Sequence, residues 1–178
     1  SETDPLFTAD LQAIQRSGGN LIRVFLFADF HASYVTQWDD TTGKLVAISS
    51  SLIPDLQSFF LKAQQYNVYM LLCLVDGAVQ LFRPAILTDR DVLESFIEVA
   101  VKPIAKALAA YPALLGIDVV NEPEGMVNEF PFPWVTSFTS MKMVQRFIGR
   151  VAHAIHVTNP NTMVRICLNV DPPLTGVC

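Results

Sequence analysis

Leu114-Leu115-Gly116-Ile117-Asp118-Val119-Val120 is an apolar run that leads directly into Asn121-Glu122-Pro123-Glu124-Gly125. A run this short and this apolar reads as a strand buried on both faces. It ends by presenting an amide and a carboxylate side by side. Pro123 then stops the ladder, because proline has no N–H to donate. In parallel α/β proteins the space beyond the carboxyl ends of the strands is where ligands bind.

Three more segments read the same way. Together the four predicted strands cover residues 21–27, 68–75, 115–120 and 163–169, and their starts follow a pitch of about 47 residues. Helical patterns fill the gaps. A first helix over 7–16 stops at Gly18-Gly19. A second over 52–65 carries Leu56, Phe59, Phe60 and Ala63 at helical spacing. A third over 89–110 carries Val92, Phe96, Val99 and Ile104, and Pro103 is expected to kink it. A fourth over 140–157 puts Met143, Phe147, Val151, Ala154 and Ile155 on one face. Regular strand–helix alternation implies βαβ units and a parallel sheet. The surplus length falls after the strands, in loops 29–51, 76–88 and 124–139, where barrel enzymes build their sites.

Four strands cannot close a barrel. The choice is a small open sheet or about half of a (β/α)8 TIM barrel of ~250 residues. An open sheet this apolar would carry two unprotected edges. The expected fold class is therefore α/β, a partial TIM (β/α)8 barrel with about half of the barrel present. Residues 1–178 are expected to form a single, truncated catalytic domain.

Composition narrows the function. Hydrophobic residues make up 51% of the 178 and charged residues 16%, as suits buried strands under helices. No apolar run approaches the ~18 residues of a membrane span. A net charge of −5 with no basic patch argues against nucleic acid as a partner. No Gly-rich phosphate loop is present, and no cofactor is implied. Of the three cysteines, Cys73 and Cys167 fall in predicted strands and read as buried apolar thiols, whereas Cys178 is free to pair elsewhere. The chain opens on Ser1 without an initiator methionine or a signal-like segment, as a mature chain or a fragment does.

Period-two alternation predicts Gly116, Asp118, Val120 and Glu122 on one side of the third strand, and Arg23, Phe25 and Phe27 on one side of the first. If both sides face the barrel interior, Arg23 needs a carboxylate partner, Glu122 or Asp118. Arg23 then either pins the barrel floor through an Arg–Asp pair or orients and tunes a catalytic carboxylate. Glycosidic cleavage commonly uses two carboxyl groups, one donating a proton to the leaving oxygen. Glu122 is the candidate proton donor, and Asn121 beside it is placed to hydrogen-bond a sugar hydroxyl. His31 is a loop histidine, a substrate contact or a metal ligand. Asp76 is a second polar contact at a strand end. Trp134, with Phe130, Phe132 and Phe138, either stacks on sugar faces or covers the barrel top. Glu124 and Glu129 read as solvated loop charges.

The runs Asn20-Leu21-Ile22-Arg23-Val24-Phe25, Asn67-Val68-Tyr69-Met70-Leu71 and Gly116 to Gly125 resemble glycoside hydrolase family 5, and within it the animal endo-β-1,4-mannanases. The resemblance spans residues 10 to about 169 and corresponds to strands two to five of the family barrel. It implies a secreted enzyme that hydrolyses β-linked polysaccharide by a retaining two-carboxylate mechanism. By that resemblance Arg23 lies near the catalytic carboxylates, Asn121 binds substrate and Glu122 is the general acid/base. The family nucleophile, a glutamate on the seventh strand, lies beyond the four strands read here. The chain also departs from the pattern. Val75-Asp76 stands where mannanases carry Trp-Asn, Asn169-Val170 stands where they carry an aromatic, and His31 is the histidine nearest Phe27.

The departures keep two other functions open. The first is a truncated or inactive carbohydrate-binding barrel without hydrolase activity. The second is a metal-dependent hydrolase using Asp29, His31, Asp76 and Glu122, which lacks the paired histidines common in such sites. The leading reading requires no metal.

Overall fold

The structure is a computed structural model that describes residues 5–31, 35–128, 135 and 139–168. Helix α1, Pro5–Arg16, ends at Gly18, whose φ of +80° takes the left-handed conformation glycine allows. Strand β1, Leu21–Ala28, follows, and then an antiparallel hairpin of β2, Thr36–Trp38, and β3, Leu45–Ile48. Next come α2, Leu52–Gln65, and β4, Tyr69–Asp76. Helices α3, Ala85–Thr88, α4, Arg90–Phe96, and α5, Lys102–Leu108, precede β5, Leu114–Asn121. The described part closes with α6, Met141–Thr158, and β6, Met163–Cys167.

The main sheet has the order β1-β4-β5-β6, and every pairing in it is parallel. The four predicted strands are therefore these four, shifted at their ends by one or two residues. Leu72, Leu74, Ile117 and Val119 point into the helix layer. There they meet Phe60 of α2, Phe96 of α4 and Phe147 of α6, all fully buried. Each such ring contributes about 1.5–3 kcal/mol over an exposed one. Phe59 is half-buried and sits edge-on to Phe7 of α1, with centroids 4.7 Å apart. On α6 Val144, rather than Met143, completes the apolar stripe.

Two local expectations take a specific form. The helix runs on through Pro103. A π-helical turn, Ile97–Val101, precedes it, and the N–H of Lys102 reaches back five residues to the carbonyl of Ile97. The wider turn relieves the clash between the proline ring and the carbonyl four residues before it. Loop 29–51 contains the β2–β3 hairpin. Asp39 Oδ1 accepts from the N–H groups of Thr41 and Thr42 at 2.8 and 3.2 Å, and Gly43 at φ +70° closes the turn. Strands of three and four residues are too short to show a period-two signal.

Strands β1 and β6 are the sheet edges, each with one side unpaired among the described residues. Leu21 (45% exposed) and Phe25 lie on the first, and Met163 (45%) and Ile166 on the second. An apolar groove of about 410 Å³ runs beside β1, lined by Leu6, Phe7, Ile22, Val24, Leu26 and Phe59 among others. Unpaired parallel edges beside uncovered apolar surface template association. Residues 1–178 produced alone are expected to self-associate with rising concentration in sedimentation velocity. A monomer with one sharp cooperative melt would contradict that expectation.

Candidate active site

The face of the sheet opposite the helices carries Arg23 and Asp118. Register places Arg23 beside Leu71, Phe25 beside Cys73, Leu71 beside Gly116, and Cys73 beside Asp118. Arg23 Nη2 donates to Asp118 Oδ2 in an ion pair and lies 3.5 Å from Cys73 Sγ. Arg23 Nη1 donates to Asn121 Oδ1 at 2.9 Å. Asn121 Nδ2 in turn donates to Asp76 Oδ1 at 2.9 Å. The guanidinium also lies over the Phe25 ring, 5.0 Å from its centroid. Of the two partners proposed for Arg23 from the sequence, the contact is with Asp118. Glu122 has no direct bond to it among the described residues.

Strict alternation cannot put Asp118 and Asn121 on the same guanidinium. The β5–β6 register shifts between these two residues, and that irregularity brings both to the inner face. The expected inner row of Gly116, Asp118, Val120 and Glu122 is therefore amended, because Asn121, which alternation sets on the other side of the strand, shares Arg23 with Asp118. The first strand changes for the same reason. Its register shifts between Phe25 and Ala28, and Phe27 leaves Arg23 to pack on Phe30 and Phe96 at 5.7 and 5.5 Å.

Glu122 follows β5 with φ 44° and ψ 53°, a left-handed conformation that is strained for a residue with a side chain. Its N–H donates to the Cys167 carbonyl at 2.7 Å, and Pro123 then opens a 3₁₀ turn, Pro123–Met126. The Glu122 carboxyl is pushed above the usual carboxylate range. Partial burial is the main cause, repulsion from Glu124 and Asp76 adds to it, and the Arg23 charge opposes it. Asp118 is also raised, because complete burial outweighs its hydrogen bond to Arg23 and the charges of Arg23 and Arg165. Burial, with the Asp118 charge adding to it, pushes the Cys73 thiol up to about 12, so it is no nucleophile at neutral pH.

Gly77 was not singled out from the sequence. Its N–H donates to the Asn121 carbonyl at 2.7 Å. A Cβ there would stand 2.6 Å from the Glu122 carbonyl oxygen and 2.7 Å from that of Asn121. Only glycine lets β4's exit lie this close against the segment that carries the site. Glu124 is also corrected, since it is 5% exposed rather than a solvated charge. Its burial follows from the 3₁₀ turn, which folds back over the strand end. Cys167 is disulfide-bonded, not a free buried thiol as read from the sequence, whereas Cys73 is buried and free.

Asn121, Asp76 and Glu122 thus gather at the carboxyl ends of β4 and β5, and the Arg23 side chain reaches Asn121 from nearer the start of β1. His31 is not among them. It sits in a rim hollow of about 290 Å³ with Phe30, Trp38, Phe82 and Arg83, its ring edge-on to Phe82 at 5.0 Å. Arg83 pairs with Asp40 at 3.1 Å and covers the Phe82 and Trp38 rings, with its guanidinium 4.9 and 5.8 Å from their centroids. Trp134, Phe130, Phe132, Phe138, Glu129, Asn169, Val170 and Cys178 lie outside the described residues. Among the described residues no three His, Cys, Asp or Glu side chains converge as a metal site would require, and no helix is long and apolar enough to cross a membrane.

No protein-family profile matches the chain. It is 31% identical to a mannan endo-1,4-beta-mannosidase of Mytilus edulis, over 90% of this chain and 48% of that protein. It is 26% identical to a mannan endo-1,4-beta-mannosidase of Cryptopygus antarcticus, over 88% of this chain and 45% of that protein. Superposed on the solved beta-mannanase of blue mussel, Mytilus edulis, it gives a TM-score of 0.84 over 92% of this chain and 51% of the other, at 28% identity. The endo-1,4-beta-mannanase of Eisenia fetida gives 0.84 over 92% and 50%, at 25% identity. The chain spans about half the length of the relatives it matches. Its sheet is accordingly part of a TIM barrel, as the strand count predicted, and its resemblance to the animal mannanases extends over most of its residues.

Proposed function

We propose that this chain is a mannanase-like part of a family 5 glycoside hydrolase barrel, a retaining endo-hydrolase of β-1,4-mannan with Glu122 as its acid/base. The observation that carries the reading is Glu122 itself. It is a strained, left-handed residue at the mouth of a buried parallel strand, and its surroundings favour the protonated carboxyl. In the first step Glu122 gives its proton to the leaving glycosidic oxygen. In the second it takes a proton from the water that releases the glycosyl–enzyme intermediate. The attacking carboxylate stands about 5–5.5 Å from the acid in retaining enzymes. By family resemblance it comes from a strand beyond these four.

The other residues have binding roles in this reading. Asn121 keeps one N–H for a sugar hydroxyl after its bond to Asp76. Arg23 holds the Asn121 oxygen and adds positive potential beside the carboxyls. His31 contacts the polymer at the rim, and Trp134 is a further substrate contact by the family resemblance. Residues 1–178 belong to one catalytic domain, and the polysaccharide substrate implies secretion. The disulfide at Cys167 supports an oxidising compartment.

The test is incubation of the full-length protein with β-1,4-mannan, following reducing-sugar release and the first-formed anomer by proton NMR. Release with the β-anomer first is expected. Early α-anomer would replace retention by inversion. Mannan binding without release would favour a non-catalytic carbohydrate-binding barrel, a reading motivated by Asp76 at a strand end where mannanases carry an amide.

A further inference from the structure

We propose that Asp76 is a positioning residue for the strand-end pair, locking the Asn121 amide in one orientation and presenting a negative charge to Glu122. The proposal rests on the reading of Glu122 as the acid/base. Asp76 is not a substrate contact in this view, because its oxygen is already engaged. Oδ1 accepts from Asn121 Nδ2 at 2.9 Å and from the N–H of Ala78 at 3.0 Å. The second of these is an Asx turn that fixes the carboxylate itself.

The amide has one stable orientation. Its oxygen faces the Arg23 guanidinium and its nitrogen faces the Asp76 carboxylate, at 2.9 Å each. Flipping it would set N–H groups against a cation and an oxygen against an anion. A neutral acceptor at position 76 would keep the bond but weaken that preference. The backbone reinforces the arrangement. Asp76 and Asn121 are register partners across β4 and β5, and the Gly77 N–H bonds the Asn121 carbonyl. The second Nδ2 hydrogen is then aimed, not free to rotate away, and an aimed donor loses less entropy on binding.

The charges that face Glu122 come from three elements. Asp76 stands at the end of β4 and Glu124 on the 3₁₀ turn, and both disfavour its ionised form. Arg23 on β1 opposes them, with part of its charge engaged by Asp118. The end of β6 contributes the Cys167 carbonyl, which is uncharged. Removing the Asp76 charge therefore lets Glu122 lose its proton at lower pH, and the alkaline limb of a reaction that needs the protonated acid moves down.

The experiment compares Asp76→Asn and Asp76→Ala in the full-length protein. One readout is the pH dependence of kcat/KM on β-1,4-mannan. The other is the titration of the Glu122 carboxyl by ¹³C NMR, assigned through Glu122→Gln. Asparagine can keep both bonds at Oδ1 and loses only the charge. It is expected to move the Glu122 titration and the alkaline limb down together by about half a pH unit. Alanine loses the bonds as well. It is expected to show the same shift and a kcat roughly tenfold below that of Asp76→Asn. Titration and limb unmoved in both variants would overturn the proposal and leave Asp76 a structural residue. If Asp76→Ala does not fold, Asp76→Asn decides the matter alone. If the unmodified protein releases no sugar, the acid/base reading fails, and the NMR titration still tests the coupling of Asp76 to Glu122.

Discussion

Glu122→Gln in the full-length protein is expected to lower kcat on β-1,4-mannan by roughly 10²–10⁴-fold, the contribution of a positioned general acid/base. Stability should change by less than about 0.5 kcal/mol. Among the described residues the Glu122 carboxyl makes no hydrogen bond that glutamine would forfeit, and glutamine removes the repulsion from Glu124 and Asp76. The loss should also depend on the leaving group. A dinitrophenyl mannoside departs without protonation, so its first step should be spared while mannan cleavage collapses. Parallel kinetics on the two substrates, with a urea melt of each protein, separate the outcomes. An equal loss on both would mean the substitution distorts the site. Undiminished mannan cleavage would remove Glu122 from the mechanism.

Asp118→Ala is the substitution expected to cost the most stability. Asp118 is completely buried, and its partner Arg23 is a quarter exposed. Removing the carboxylate leaves a largely buried cation without its main acceptor and opens a small void. Breaking a buried pair costs about 3–5 kcal/mol, and the partial exposure of Arg23 argues for the lower end. Asp118→Asn should cost clearly less. Burial already disfavours the Asp118 charge, and an amide oxygen still accepts from Arg23. Urea midpoints of the two variants at neutral pH check the order. If alanine and asparagine cost the same, the ion pair rather than the hydrogen bond would hold Arg23. The linkage sign follows from the raised value. The stability tied to Asp118 is fully present below the ordinary carboxylate pKa of ~3.9 and declines as pH rises through its folded value.

Both substitutions probe one apparatus, a chain of polar contacts from Asp118 through Arg23 and Asn121 to Asp76, with Glu122 beyond its end. The chain crosses three adjacent strands. Its geometry therefore depends on how β1, β4 and β5 align. A Cβ on Gly77 would push directly on the Asn121 and Glu122 carbonyls, which shows how little slack that alignment has.

The sequence by itself determined the alternation of strands and helices, the four parallel strands, the partial barrel and the placement of Asn121 and Glu122 at a strand mouth. All of these rest on local signals: apolar runs, helical stripes and a proline that ends a ladder. Tertiary structure decided which side chains meet. Period-two alternation put Phe27 beside Arg23 and Asn121 on the side away from Asp118, and register shifts in β1 and β5 overrode both placements. Glu124 became buried because a 3₁₀ turn folds it inward, and Asp76 met Asn121 because their strands are in register. Alternation is a property of a single strand. Bulges and register arise only when neighbouring strands and the helix layer settle against one another, so no local pattern encodes them.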